Sequence, residues 1–239
     1  MTKIYDALRR AEQEQGPSQV LPRLRVEPRN RALRQKMIAV YQTIESSLPD
    51  KTCRVVMFAG AHRGEGASVL ARELAKLASA ELAQRVALID LTTGGGGHYE
   101  HFNVALQAGL NDVADGRATL QDALMPANDN TALSLACVAT GETSASVVVA
   151  SPKFAELMQA LRQEFTLVLL DAPPFSESSD ALLAAPETDG IVMIVEADST
   201  RWQVAENVRE KLAMQGGRIL GVILNKRRFY IPSFIYRRM

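Results

Sequence analysis

A chain of 239 residues that is 47% hydrophobic and 23% charged has room for one large α/β core and the composition of an ordinary globular protein. No stretch approaches the roughly 20 apolar residues of a membrane-spanning helix, residues 1–15 lack the apolar segment of a secretory signal, and two cysteines, Cys53 and Cys137, exclude a disulfide framework or a cysteine-rich metal site. The net charge of zero conceals a basic stretch at each end, +5 over residues 1–36 and +5 over residues 226–239, around an acidic middle.

In chain order, Ile4, Ala7, Leu8 and Ala11 recur at helical spacing and predict a short amphipathic helix. Residues 16–30 hold Gly16, Pro17, Pro22 and Pro28 among basic residues and predict an extended linker. A second helix is expected over 32–48, stopping at Pro49. Arg54–Ala59 is an apolar run that predicts a strand, followed by a glycine-rich turn and a helical pattern over 67–82. Val86–Asp90 predicts a second strand. Residues 109–124 read as helical with a break near Gly116, 133–139 as a strand, and 151–165 as a helix with Pro152 in its first turn, where the missing N–H costs nothing. Apolar runs over 167–171, 190–195 and 220–225 complete the strands, with a helix over 199–215 between the last two. Continuous apolar strands alternating with helices predict an α/β fold with a mostly parallel sheet covered on both faces. The expected organisation is an arm over 1–50, an α/β domain over 51–225 and a basic-aromatic tail over 226–239.

The turn after the first strand reads Ala61-His-Arg-Gly-Glu-Gly-Ala-Ser68. Strand, glycine-rich turn and helix aim backbone N–H groups and a helix N-terminus at a phosphate. Against the pattern G-x-x-x-x-G-K-[ST], Gly66 and Ser68 fit, Ala61 stands at the first glycine and Ala67 at the lysine. A glycine-rich turn without a ligand is the plain alternative. Asp90 and Asp171 each end a predicted strand, and the carboxyl ends of parallel strands border the crevice where such sheets bind ligands. A loop hydroxyl with one or two carboxylates is what a magnesium ion takes. Ser68, Asp90 and Asp171 are therefore the expected metal set, with Asp90 and Asp171 also the catalytic candidates. Arg63, Gly64, Glu65, Gly66, Ala67 and Ser68 are the expected nucleotide-phosphate residues. His62, His98 and His101 show no complete metal-ligand spacing and are expected to be surface loop residues.

Residues 41–225 resemble the bacterial tyrosine kinase (BY-kinase) family, which is related to the MinD/ParA-type P-loop ATPases. The segments that carry the resemblance are Phe165–Pro174, Ser179–Leu182, Asp189–Val195, Gly109–Val113 with Leu120–Leu124, and Gly221–Asn225. The resemblance implies a P-loop NTPase fold, ATP or ADP with Mg2+ as cofactors, and Asn225 as the adenine contact. It also implies a partner, the cytoplasmic part of an inner-membrane polysaccharide co-polymerase. Several positions depart from the family pattern. Ala67 replaces the lysine. The second strand ends Asp90-Leu-Thr92 where the family has a second aspartate, and Gly94–Gly97 follow. Ala39, Gln42 and Glu45 stand where the family carries the E-x-x-R-x-x-R helix of its ring assembly. The tail holds only Tyr230 and Tyr236.

A charge-assisted phosphate contact contributes about 1.5–3 kcal/mol, so the lost lysine weakens binding roughly 10- to 100-fold. Loss of one preorganised donor to the transferring group slows transfer by about 10²–10³. Arg63 is the substitute cation within reach along the chain. The leading expectation is a degenerate BY-kinase-like regulator or adaptor of exopolysaccharide or capsule biosynthesis and export, with weak or no ATP hydrolysis or kinase activity. It is expected in the cytoplasm, peripheral to the inner membrane. The alternatives are an active tyrosine autokinase of the same pathway and a MinD/ParA-like positioning ATPase. The tail, 226–239, interleaves basic and aromatic residues and suits an anionic membrane surface or a partner groove. Nucleic acid is not an expected partner.

Overall fold

The computed structural model describes residues 28–92, 96–127, 130–138, 144–197 and 199–227. The expected N-terminal helix, most of the linker, Gly94, Gly95 and the tail from 228, with Tyr230 and Tyr236, lie outside the described residues.

Seven strands form one sheet: β1 (Arg54–Gly60), β2 (Val86–Asp90), β3 (Met125–Ala127), β4 (Asn130–Cys137), β5 (Leu167–Asp171), β6 (Gly190–Glu196) and β7 (Ile219–Asn225). Their order is β3-β4-β2-β5-β1-β6-β7. Every neighbouring pair is parallel except β3 with β4. The sequence predicts six of these strands; β1, β6 and β7 each run one residue beyond the expected range, and β4 starts at Asn130, three residues before Leu133, and ends at Cys137 rather than at 139. It misses β3, whose three residues, Met125-Pro-Ala127, carry no alternation to read.

The helices are α1 (Pro28–Ser47), α2 (Ala67–Glu81), α3 (Gly96–Phe102), α4 (Leu110–Ala114), α5 (Leu120–Ala123), α6 (Ala145–Val149), α7 (Pro152–Glu164), α8 (Asp180–Ala184) and α9 (Trp202–Met214). Local chemistry accounts for several boundaries. Helix α7 starts where Ser151 Oγ accepts the Lys153 N–H at 3.2 Å and Pro152 occupies the first turn. Helix α5 starts at Thr119, whose N–H donates to Asp122 Oδ2 at 2.8 Å in a capping box. The break near Gly116 is a left-handed turn at φ 73° between α4 and α5. Helix α1 starts at Pro28, four residues before the expected Ala32, because proline is admissible in a first helical turn.

Strand side chains alternate between faces. Val55, Met57 and Ala59 of β1, Ala87 and Ile89 of β2, and Val168 and Leu170 of β5 join Phe154, Leu157, Met158 and Leu161 of α7 and Val208 and Leu212 of α9 in one core. The opposite-facing residues, Val56, Phe58, Leu88 and Leu169, are equally buried, and α2 runs over β1, β2, β4 and β5. Met37, Tyr41 and Ile44 recur on one stripe of α1 and are buried, as is Leu48 just past its end. Cys53 and Cys137 are buried, and neither forms a disulfide; burial pushes the Cys53 thiol up to about 11. No helix among the described residues is long and apolar enough to cross a membrane.

One buried carboxylate ties the starts of β1 and β6. Asp189 accepts the Val55 N–H at 2.8 Å, Arg162 Nη1 at 2.6 Å and Lys51 Nζ at 3.0 Å. Burial pushes this carboxyl up, but the Arg162, Val55 and Lys51 hydrogen bonds outweigh it and hold it below the usual aspartate range. Asp189→Ala is expected to reduce unfolding free energy by about 2–4 kcal/mol in urea titrations near neutral pH. A carboxyl lowered by folding stabilises fully above its unfolded pKa, so the gap between wild type and variant should close as pH falls from about 4 towards the folded value. A gap that stays constant down to acid denaturation would refute this account.

Candidate functional site

The loop between β1 and α2 is shaped by glycines at two positions. Gly64 has φ 84° and Gly66 has φ 97°, a region that side-chain-bearing residues rarely adopt. At Gly66 a Cβ would lie 2.5 Å from Asn225 Nδ2, so a methyl group there has no room. Ala61 is different: its φ is not positive, and its N–H bonds the Ile194 carbonyl at 3.1 Å. The first glycine of the phosphate-loop pattern is thus dispensable in this backbone.

Glu65 fixes the loop from inside. It is 2% exposed, and its carboxylate accepts the His62 N–H at 2.9 Å, the Glu196 N–H at 3.2 Å and the Thr200 hydroxyl. Asn225, at the end of β7, donates through Nδ2 to the Glu65 carbonyl at 2.8 Å. The expected adenine contact therefore has one amide donor committed to bracing the loop. The sequence pattern puts Glu65 among the phosphate residues, whereas the structure turns its side chain inward to the end of β6.

Above the loop lies a cavity of about 740 Å³ lined by His62–Val69, Thr92, Ser146, Ala172–Pro174, Glu177, Ser178 and Asp180. Ala67, Gly64, Gly66 and Ser68 are in its wall, with the N-terminus of the 15-residue α2. Among these lining residues Arg63 is the one arginine or lysine, and it faces a wall that also holds Glu177 and Asp180. The Asp180 N–H donates to Ser178 Oγ at 3.0 Å, and the Asp180 carboxylate accepts the Ser146 hydroxyl. The sequence shows Asp180 only as part of Ser179–Leu182; an aspartate opening α8 is the signal it offered.

Asp90 and Asp171 are adjacent, as expected: parallel pairing of β2 with β5 puts them in register at the strand ends. Both are 2% exposed and neither lines the cavity; their neighbours Thr92 and Ala172 do. Thr92 donates to Asp90 Oδ1 through its N–H at 2.8 Å and its hydroxyl at 2.5 Å. Burial raises the Asp90 carboxyl most, the Thr92 hydroxyl works against it, and the Asp171 charge adds to the rise; the net shift is upward.

His98 overturns its sequence expectation. It is 2% exposed rather than a surface loop residue, lies in α3, and its Nε2 sits 2.8 Å from Asp171 Oδ2. His101 is also helical, with Nε2 2.7 Å from Lys76 Nζ, while His62 remains exposed in the loop. His98, Tyr99 and Phe102 fall on one helical face, all buried, which is the periodic signal the glycine run obscured.

The loop residues fit a phosphate: the open backbone at Gly64, the α2 N-terminus and the Ser68 hydroxyl border one cavity. A divalent cation does not fit the residues as they stand. Asp171 Oδ2 is held by His98, Asp90 Oδ1 by Thr92, and both carboxylates lie outside the cavity wall that carries Ser68. Glu65→Ala is expected to lower stability by about 1–3 kcal/mol, because it leaves three part-buried donors without their acceptor, and to speed amide exchange at His62 and Glu196. Ser68→Ala, altering an exposed hydroxyl, should stay within about 0.5 kcal/mol; equal effects for the two would contradict the bracing role.

No family model matches the chain. In sequence it is 26% identical over 179 residues to tyrosine-protein kinase CpsD of Streptococcus agalactiae, covering 74% of this chain and 76% of that protein. It is 29% identical over 187 residues to the succinoglycan biosynthesis transport protein ExoP of Rhizobium meliloti, covering 76% of this chain and 23% of that one. In structure it matches the kinase domain of VpsO with a TM-score of 0.71 at 25% identity, over 84% of this chain and all of that one. The kinase domain of Escherichia coli ETK gives 0.77 at 18% identity, over 92% and 86% of the two chains. MinD of Pyrococcus horikoshii in complex with Mg-ADP gives 0.61 at 21% identity, over 78% and 76%. In sequence and in fold the chain is similar to the bacterial tyrosine-protein kinases, and its fold is also that of MinD.

Proposed function

We propose that this protein is a kinase-like regulator or adaptor of exopolysaccharide or capsule biosynthesis that binds nucleotide phosphate weakly and transfers phosphate poorly or not at all. The observation that carries the reading is Ala67. It stands at the first residue of α2, in the wall of the cavity, where the phosphate-loop pattern has lysine. Arg63 supplies cationic charge in a wall shared with Glu177 and Asp180, which offset it. The backbone N–H groups of Gly64, Gly66, Ala67 and Ser68 would hold the phosphates, and the amide oxygen of Asn225 is the group left to meet a base. Phosphoryl transfer needs charge neutralisation of the transferred group, and this wall provides little. The relatives' names, tyrosine-protein kinase and succinoglycan biosynthesis transport protein, support a place beside a membrane-bound polysaccharide co-polymerase, with the protein held there at the cytoplasmic face. The terminal basic segments supply charge of the sign that an anionic leaflet attracts.

Two measurements test this. Purified protein incubated with ATP and Mg2+ should acquire no phosphotyrosine by mass spectrometry; phosphate on Tyr230 or Tyr236 that disappears in Asp171→Asn would establish an active kinase instead. Calorimetric titration with ADP should give weak binding that Ala67→Lys strengthens about 10- to 100-fold. An Ala67→Lys variant with unchanged affinity would show that the cavity is not a phosphate site.

A further inference from the structure

Helix α3 lies across the ends of β2, β5 and β4. Asp90 is in register with Asp171 on one side and with Cys137 on the other, and Tyr99, buried, lies close enough to Asp90 and Cys137 to feel both. His98 meets Asp171 from the same helix. The outer face of α3 is fastened to α2 by Lys76, whose Nζ reaches His101 Nε2 at 2.7 Å and stands 5.4 Å from the centre of the Phe102 ring. Gly97 adds a long contact, its carbonyl 3.5 Å from Arg72 Nη1.

Under this helix the buried polar atoms with no hydrogen-bond partner include Asp171 Oδ1, His98 Nδ1 and Tyr99 Oη. A buried carboxylate oxygen without a donor is costly and calls for a cause. Here the cause is geometric. His98 Nε2 satisfies Oδ2, and the burial of the carboxylate leaves Oδ1 with no donor. The imidazole thus takes the place on the carboxylate that a hydrated divalent ion takes in a phosphate-loop site.

We propose that α3 is a plug, and that His98 closes the Asp90–Asp171 pair to divalent cations. While His98 holds Oδ2, Asp171 has Oδ1 alone to offer a cation, and bidentate coordination is closed. The inference concerns the carboxylate pair and stands whether or not nucleotide binds in the cavity.

The test is Mn2+ binding to the full chain without nucleotide, followed as loss of the free-ion signal in electron paramagnetic resonance. His98→Ala should bind Mn2+ about 10- to 100-fold more tightly than wild type, the range for losing one hydrogen bond to a charged group. Adding Asp171→Asn to His98→Ala should abolish the gain. His98→Gln, which keeps an N–H donor of similar reach, should stay as closed as wild type. Phe102→Ala loosens α3 without touching either acid, and it should raise Mn2+ affinity too; it serves if His98→Ala does not fold. Wild type binding Mn2+ as tightly as His98→Ala, a gain that survives Asp171→Asn, or no gain in either α3 variant would each overturn the plug. An ADP titration that fails leaves these outcomes untouched, so the two readings fall separately.

Discussion

Two carboxylates held side by side in a dry place dominate this structure. The register of β2 on β5 sets Asp90 beside Asp171, both nearly inaccessible. Like charges in such a setting repel strongly, and water is not there to screen them. The pair needs hydrogen-bond donors, and the surrounding residues supply them. Thr92 gives two donors to Asp90, and His98 gives one to Asp171. Helix α3, the buried Tyr99 and the Lys76 clasp follow from keeping the imidazole in position.

The departures from the phosphate-loop pattern then form one set. A lysine over the loop and a cation on the acids would both answer negative charge on a bound phosphate. This chain has Ala67 in place of the first, and Thr92 and His98 around the acids in place of the second. The donors that meet the two acids belong to the fold itself. The sheet, the loop glycines and the Glu65 brace stand without that lysine, so the scaffold does not need phosphate chemistry to hold its shape.

Most of the fold was legible because its strands are continuous apolar runs and its helices keep a clear period, as in Val55–Ala59 and in Leu70, Leu74 and Leu77. Asp90 and Asp171 were legible as strand ends. Strand β3 was not, since three residues with a central proline carry no pattern. His98 was not, for a different reason. Four glycines precede it, and glycine predicts loop, yet tertiary burial of His98, Tyr99 and Phe102 imposes a helix that local propensity disfavours. The inward turn of Glu65 was equally hidden, because its three donors come from Glu196, Thr200 and its own loop, brought together only by the β1–β6 pairing.

The Glu65 and Asn225 braces also set the thermodynamic character of anything that meets this loop. A loop held by a buried carboxylate and a side-chain amide has already surrendered its conformational entropy during folding. An incoming anion does not have to order it, so selectivity among anions rests on shape and charge alone. The same braces tie the loop to the ends of β6 and β7, through Glu196 and Asn225, so that a shift of either strand end would be felt at the loop backbone.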